Sequence, residues 1–261
     1  MYIFRYFVRA ILALFILPKN YLLYRYSRTE LDQSRAVKSL KTNGFYKFPE
    51  RLNEEELKKI QLDYTCQMQR TCVESVGQNS GRIYNPHLNA PFLREYANRL
   101  QSIVDEYFGV TNVPLEMSLY QKSLVPNSIM DVPGGYGYHT DDNKKNIKIF
   151  IYLSDVNIDN GPFCVSPKSH GFVASKLKSW VFWEITSNRK YLYSDTLPNK
   201  CDPHVEIIGK SGTIFIVDTT AYHKAIPLVR GSRDLFLLSF SERRFDPYKI
   251  IMPLKERLIG K

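Results

Sequence analysis

No two cysteines of this chain stand at C-x-x-C spacing: Cys66, Cys72, Cys164 and Cys201 are scattered over 261 residues. That excludes a cysteine-only zinc site and a dense disulfide framework, and it fits a reducing compartment. A charge-free apolar run of the ~20 residues needed to span a bilayer is missing too. The most apolar segment, residues 1–28, is uncharged only from Ala10 to Pro18, between Arg9 and Lys19. The formal charge is +10, yet no basic helix or stripe is interleaved with aromatics, so a nucleic-acid partner is not expected. Repeats, low-complexity tracts and long linkers are absent. The strand-rich back half lacks the intervening helices that doubly wound and ferredoxin-like folds require.

What is present is 44% apolar and 13% aromatic residues, enough to bury one substantial core. The chain divides into a basic, apolar segment over 1–28 and one domain over 29–261. Arg5, Arg9, Lys19, Arg25 and Arg28 fall in the first part with no acid to offset them. On a helix Arg5 and Arg9 share a face, and a basic, aromatic helix suits the interface of an anionic membrane. A helix packed on the domain's own core and an uncleaved signal anchor are the other readings, the latter without a small-x-small cleavage site. The expected location is cytoplasmic, at the membrane surface.

Leu31 to Leu40 reads as a short helix ended at Asn43-Gly44. "RLNEEELKKIQ" opens a second, with Asn53 as cap and Glu54, Glu55 and Glu56 in its positively polarised first turn. "NAPFLREYANRLQSIVDEYF" makes a third, with Pro91 in the first turn and a stripe of Leu93, Tyr96, Leu100, Ile103 and Tyr107. After Val113 the period changes to two. Strands are expected at Leu115–Val125, Gly137–Asp141, Ile147–Val156, Phe163–Ser166, Val205–Ile208, Thr213–Val217, His223–Val229 and Asp234–Glu242. This succession predicts a mainly β chain with flanking helices, folded as a double-stranded β-helix (jelly roll, cupin-like).

In "GYGYHTD", His139 and Asp141 sit at i and i+2 and would project from one face of a strand. Such a pair is common by chance, and it gains weight only from two residues near the C-terminal end of the domain. His223 closes the run "SGTIFIVDTTAYH", and Arg233 lies ten residues beyond it, across the "RGS" turn. Two imidazoles and a carboxylate on one face of an octahedral ion leave three positions open, the arrangement of non-haem Fe(II) oxygenases. An arginine nearby offers a planar fork to a dicarboxylate. A structural zinc site would close its shell with a fourth protein ligand.

From about Val37 to Phe245 the sequence resembles the phytanoyl-CoA dioxygenase-like branch of the Fe(II)/2-oxoglutarate-dependent oxygenases. The likeness rests on "LKTNGFYKFPERLNEEEL", "YHTD", "IKIFIYLSDVNIDNGPFCVSPKSHG" and "DTTAYHKAIPLVRGSRDLFLLSF". It implies a double-stranded β-helix in which His139, Asp141 and His223 hold Fe(2+) and carry catalysis, while Arg233 pairs with the distal carboxylate of 2-oxoglutarate. The implied reaction consumes O2, releases succinate and CO2, and hydroxylates a C–H bond. Related halogenases lack the carboxylate ligand, so the presence of Asp141 favours hydroxylation.

Gln121, on the strand before the metal strand, is a further contact for 2-oxoglutarate or substrate, or an ordinary strand residue. Lys148 alternates with Ile147, Ile149 and Ile151 and is expected to face solvent rather than the cavity. His170 reads as a supporting histidine; His87 and His204 have no partner at ligand spacing. Tyr136 and Tyr138 either wall the pocket or belong to the core. Ser175–Cys201, with Trp180 and Trp183, is a lid or a surface excursion. The expected substrate is a small molecule, a lipid or a glycan precursor. The competing readings are a non-catalytic membrane-associated jelly-roll scaffold and a sugar-binding jelly roll with structural Ca2+, which two imidazoles oppose.

Overall fold

The computed structural model describes residues 35–70, 74–75, 80–126, 137–141, 145–171, 196–197 and 201–241. Residues 1–28, Tyr136, Trp180 and Trp183 lie outside them. Helix α1 (Arg35–Asn43) buries Ala36, Val37 and Leu40. It stops at Gly44, whose N–H donates to the Leu40 carbonyl at 3.0 Å. Helix α2 (Glu54–Arg70) begins as its sequence predicts, with the Glu56 N–H donating to Asn53 Oδ1 at 2.8 Å. Helix α3 (Pro91–Phe108) buries Leu93, Tyr96, Ala97, Val104, Tyr107 and Phe108, and it ends on the left-handed Gly109. Among the described residues no helix is long and apolar enough to cross a membrane.

The strands are β1 (Phe45–Arg51), β2 (Glu74–Ser75), β3 (Ser80–Tyr84), β4 (Leu115–Leu124), β5 (Asn146–Tyr152), β6 (Phe163–Val165), β7 (Val205–Ile207), β8 (Thr213–Asp218), β9 (His223–Ala225) and β10 (Ser232–Ser241). A large antiparallel sheet has the order β1-β8-β5-β10-β4-β3-β2, and a small one the order β7-β6-β9. Together they make a double-stranded β-helix. Three strands were not expected. β1 contains Pro49 and alternating charge, which hides its pattern; it is tolerated because β1 is an edge strand. β2 and β3 are short and polar. Conversely, Gly137–Asp141 forms no continuous strand; an isolated bridge joins His139 to His223. The strand expected to reach Val229 ends at Ala225, where the Ile226 N–H turns to the Pro162 carbonyl.

Both faces of the large sheet are covered. Ile147, Ile149, Ile151, Ile216, Phe236 and Leu238 pack with α1, α2 and α3. Leu119, Phe150, Tyr152, Phe215, Val217, Leu235 and Leu237 face inward, toward Phe163, Val165 and Ile207 of the small sheet. Each such side chain buried contributes about 1.5–3 kcal/mol. Phe215 stacks on Phe150 at 4.8 Å and 6°, and Phe150 meets Phe163 at 4.8 Å, so aromatic rings bridge the two sheets.

Candidate metal centre

His139 and Asp141 lie beside β9. His139 exchanges both backbone hydrogen bonds with His223 at 3.0 Å, and the Asp141 N–H donates to the Thr219 carbonyl at 3.1 Å. The turn that leads into His223 is fixed from inside. Asp218, fully buried, accepts from the Thr220 N–H at 2.9 Å and from its hydroxyl at 2.7 Å, and also from the Tyr107 hydroxyl. Ser169 Oγ, from the "PKSH" stretch, accepts the Tyr222 N–H at 2.9 Å. That stretch therefore positions the backbone directly before His223.

The imidazole protons can be assigned from their partners. His139 Nδ1 lies 2.8 Å from the Gly137 carbonyl, and His223 Nδ1 lies 2.9 Å from the Ala221 carbonyl. A carbonyl only accepts, so each Nδ1 carries a proton, and Nε2 is the nitrogen of each ring that is left to face a ligand. Both Nε2 atoms turn toward Asp141 Oδ1, at 3.7 Å and 3.6 Å. Those separations exceed hydrogen-bond length and suit ligand atoms sharing one ion. All three ligand atoms lie within 4.8 Å of one another. Burial, then the neighbouring His223, pulls the His139 pKa down to about 4, so its Nε2 stays unprotonated at neutral pH. Burial pushes the Asp141 carboxyl up, but the Lys148 ammonium and the two histidines outweigh it and hold the group well below the usual carboxylate range.

Lys148 corrects the expectation that it faces solvent. Its Nζ sits 2.7 Å from Asp141 Oδ2, inside the barrel. The isoleucines it alternates with are buried against the helices, so the opposite face of β5 is also interior. Asp141 is thus divided: Oδ2 to the lysine, Oδ1 to the imidazoles.

Arg233 enters the same inner face from β10 and is buried. Its guanidinium donates to the Gly161 carbonyl and, at 3.4 Å, to Ser123 Oγ. Gln121 donates to the same Ser123 hydroxyl at 3.2 Å, so Gln121 and Arg233 meet at a serine that sequence reasoning passed over. The Asn-Gly-Pro turn supplies the carbonyl that holds Arg233. Gly161 has φ +75°, and a Cβ there would stand 2.5 Å from the Ile226 carbonyl oxygen, so only glycine fits.

The remaining histidines separate clearly. His170 bonds the Lys41 carbonyl at 3.1 Å and ties this loop to α1. His87 bonds Ser118 Oγ at 2.7 Å. His204, given no partner by its spacing, is not alone: it lies with Cys164 and Glu206, their ligand atoms within 4.8 Å of one another. The signal was His204-x-Glu206, the same i, i+2 spacing as His139-x-Asp141. Tyr138 is buried with His204, on the strand face opposite His139, and does not wall the triad.

No family model matches the sequence, and no curated protein matches it significantly. The fold is shared with solved structures. The carbocyclase SnoK of nogalamycin biosynthesis, a non-haem α-ketoglutarate-dependent enzyme, is 14% identical with a TM-score of 0.57, covering 81% of this chain and 85% of its own. HygX from Streptomyces hygroscopicus, with nickel and 2-oxoglutarate bound, is 18% identical with a TM-score of 0.54, over 81% and 88%. EctD from S. alaskensis, with bound Fe, is 14% identical with a TM-score of 0.56, over 82% and 79%. The chain therefore shares its double-stranded β-helix fold with those three proteins.

Proposed function

We propose that this protein is a non-haem Fe(II)/2-oxoglutarate-dependent dioxygenase of the phytanoyl-CoA dioxygenase-like kind. It hydroxylates a C–H bond of a small-molecule, lipid or glycan-precursor substrate and releases succinate and CO2. The observation that carries this reading is the convergence of two Nε2 atoms, each on a ring whose Nδ1 is held by a carbonyl, and one carboxylate oxygen. The fold shared with HygX and EctD supports it, and HygX has also been crystallised with the small molecule hygromycin B beside nickel and 2-oxoglutarate.

His139, Asp141 and His223 would hold Fe(2+) on one face, leaving three positions for 2-oxoglutarate and O2. When bound, the iron supplies the oxidising chemistry. The chain supplies position and charge. The Gly137 and Ala221 carbonyls keep both rings in the Nδ1–H tautomer. Lys148 neutralises Oδ2 of Asp141 and leaves Oδ1 as a single-oxygen ligand. Arg233 offers two parallel N–H donors to the distal carboxylate of 2-oxoglutarate, with Gln121 and Ser123 beside it. Phe150, Tyr152, Phe163, Leu235 and Leu237 form the apolar interior that keeps water from the reacting groups. The segment 1–28 extends the reading to a substrate met at an anionic membrane surface on the cytoplasmic side.

The test is direct. Purified protein supplied with Fe(II), 2-oxoglutarate and O2 should form succinate slowly even without substrate. Absence of both Fe(II) binding and succinate formation would instead support the non-catalytic scaffold.

A further inference from the structure

The small sheet has a second face, turned away from the triad, and it carries its own ligand set. Cys164 of β6 pairs with Glu206 of β7 on one side and with Lys224 of β9 on the other. His204, two residues before Glu206, joins them, as does Tyr138, which points opposite to His139. The geometry points to a second metal site here, built from Cys164 Sγ, His204 Nε2 and Glu206 Oε1, that takes a thiophilic divalent cation, zinc above all.

Three observations carry this. First, the three ligand atoms lie within 4.8 Å of one another; Cys164 and Glu206 are cross-strand partners in antiparallel register and His204 directly precedes β7, so the framework places them before any ion arrives. Second, His204 Nε2 and Glu206 Oε1 are 3.6 Å apart, too long for a hydrogen bond. Two such atoms bound at about 2.0–2.2 Å to a tetrahedral ion would stand roughly 3.3–3.6 Å apart. Third, the other ring nitrogen is engaged: Nδ1 of His204 bonds the Tyr138 hydroxyl. In the tautomer where Nδ1 donates to that oxygen, Nε2 is unprotonated and aimed at the cluster, the outer contact that orients metal-bound histidines.

The donor set decides which ion. Thiolate with imidazole and carboxylate is a zinc combination, while a sulfur ligand disfavours Mg2+ and Ca2+. Three protein ligands leave a fourth position for water. Cys164 is fully buried, and the side chains of His204 and Glu206 are 30% and 32% exposed, so the ion would enter from the solvent side. Lys224, the cross-strand neighbour of Cys164 on β9, places its Nζ 4.1 Å from the centre of the Tyr138 ring on the same side of the sheet. The proposal does not depend on the triad holding iron. The two sites stand back to back: Tyr138 and Lys224 of the outer set adjoin His139 and His223 of the inner one.

Cobalt(II), added alone to full-length metal-free protein, separates the two sites, because only the outer one contains sulfur. Wild type should bind two equivalents and develop sulfur-to-cobalt charge-transfer absorption in the near ultraviolet. Cys164→Ser should lose that absorption and one equivalent. Glu206→Gln, at a partly exposed position where folding is not at stake, should weaken the same equivalent by tenfold or more. Asp141→Ala should remove the other equivalent and leave the absorption intact. Two results would overturn the proposal: no charge-transfer absorption in wild type, or its persistence in Cys164→Ser, which would assign the thiolate to another cysteine.

Discussion

His139 and His223 are backbone partners, each N–H donating to the other's carbonyl at 3.0 Å, and their rings stand 4.4 Å apart. One antiparallel bridge thus sets the spacing of two candidate ligands far apart in sequence. Asp141 completes the set two residues along the same short segment.

His139→Ala, Asp141→Ala and His223→Ala should each lower divalent-metal affinity by more than about 100-fold, beyond the loss that outer contacts cause. Calorimetric titration of metal-free protein with Ni2+ measures this without turnover. Wild-type affinity in any variant would remove that residue from the ligand set.

Arg233→Lys should raise the KM for 2-oxoglutarate about tenfold or more, because a point charge replaces a two-pronged donor. Ni2+ affinity should not change. A KM within twofold of wild type would move the carboxylate contact to another residue.

Lys148→Met should destabilise the metal-free protein by on the order of 2 kcal/mol, since it leaves Asp141 in the barrel without its cation. Added Ni2+ then takes over as counterion, so the metal-induced rise in Tm should be larger in the variant than in wild type. An equal or smaller rise would show that the lysine does not serve as that counterion.

The metal-free protein should lose stability as pH falls from about 6.5 to about 4. Over that range the unfolded chain protonates His139 while the folded chain, with its pKa lowered to about 4, does not. The unfolded state binds more protons, so acid favours it, by about 3 kcal/mol at the lower end. His139→Asn should flatten this part of the Tm-against-pH curve. An unchanged slope would place the sensitivity elsewhere.

Full-length protein should sediment with anionic vesicles, drawn by about 1 kcal/mol per basic residue near the surface, and be released by high salt or alkaline carbonate. Protein beginning at Ser27 should remain in the supernatant and still form succinate. Loss of metal binding in the shortened protein would assign residues 1–28 to the core, and resistance to carbonate would make them an anchor.

The triad was legible because its spacing is the period of a strand: i, i+2 for His139 and Asp141, with His223 closing an apolar run. The helix starts at Asn53 and Pro91 were legible for local reasons, a cap and a ring that needs no N–H. Lys148 was misread because alternation tells which residues share a face but not whether both faces are buried. The Cys164, His204 and Glu206 cluster was hidden for a related reason. Cysteine spacing along the chain says nothing of a ligand contributed by the next strand across. β1 was missed because edge strands tolerate the proline and charges that sequence patterns treat as breaks.

The aromatic rings between the sheets have a consequence for the precision of the centre. Phe215, Phe150 and Phe163 form a closed triangle of rings, with centroid separations of 4.8, 4.8 and 5.6 Å, and the His223 ring lies over Phe163 at 5.3 Å and 20°. His223 therefore rests on Phe163, a ring that is braced by Phe150 of β5 and Phe215 of β8 at once. Trimming Phe215 would remove one of the two braces under Phe163 and so disturb a histidine it never touches, which means that these three positions can vary only in concert, like the legs of a tripod.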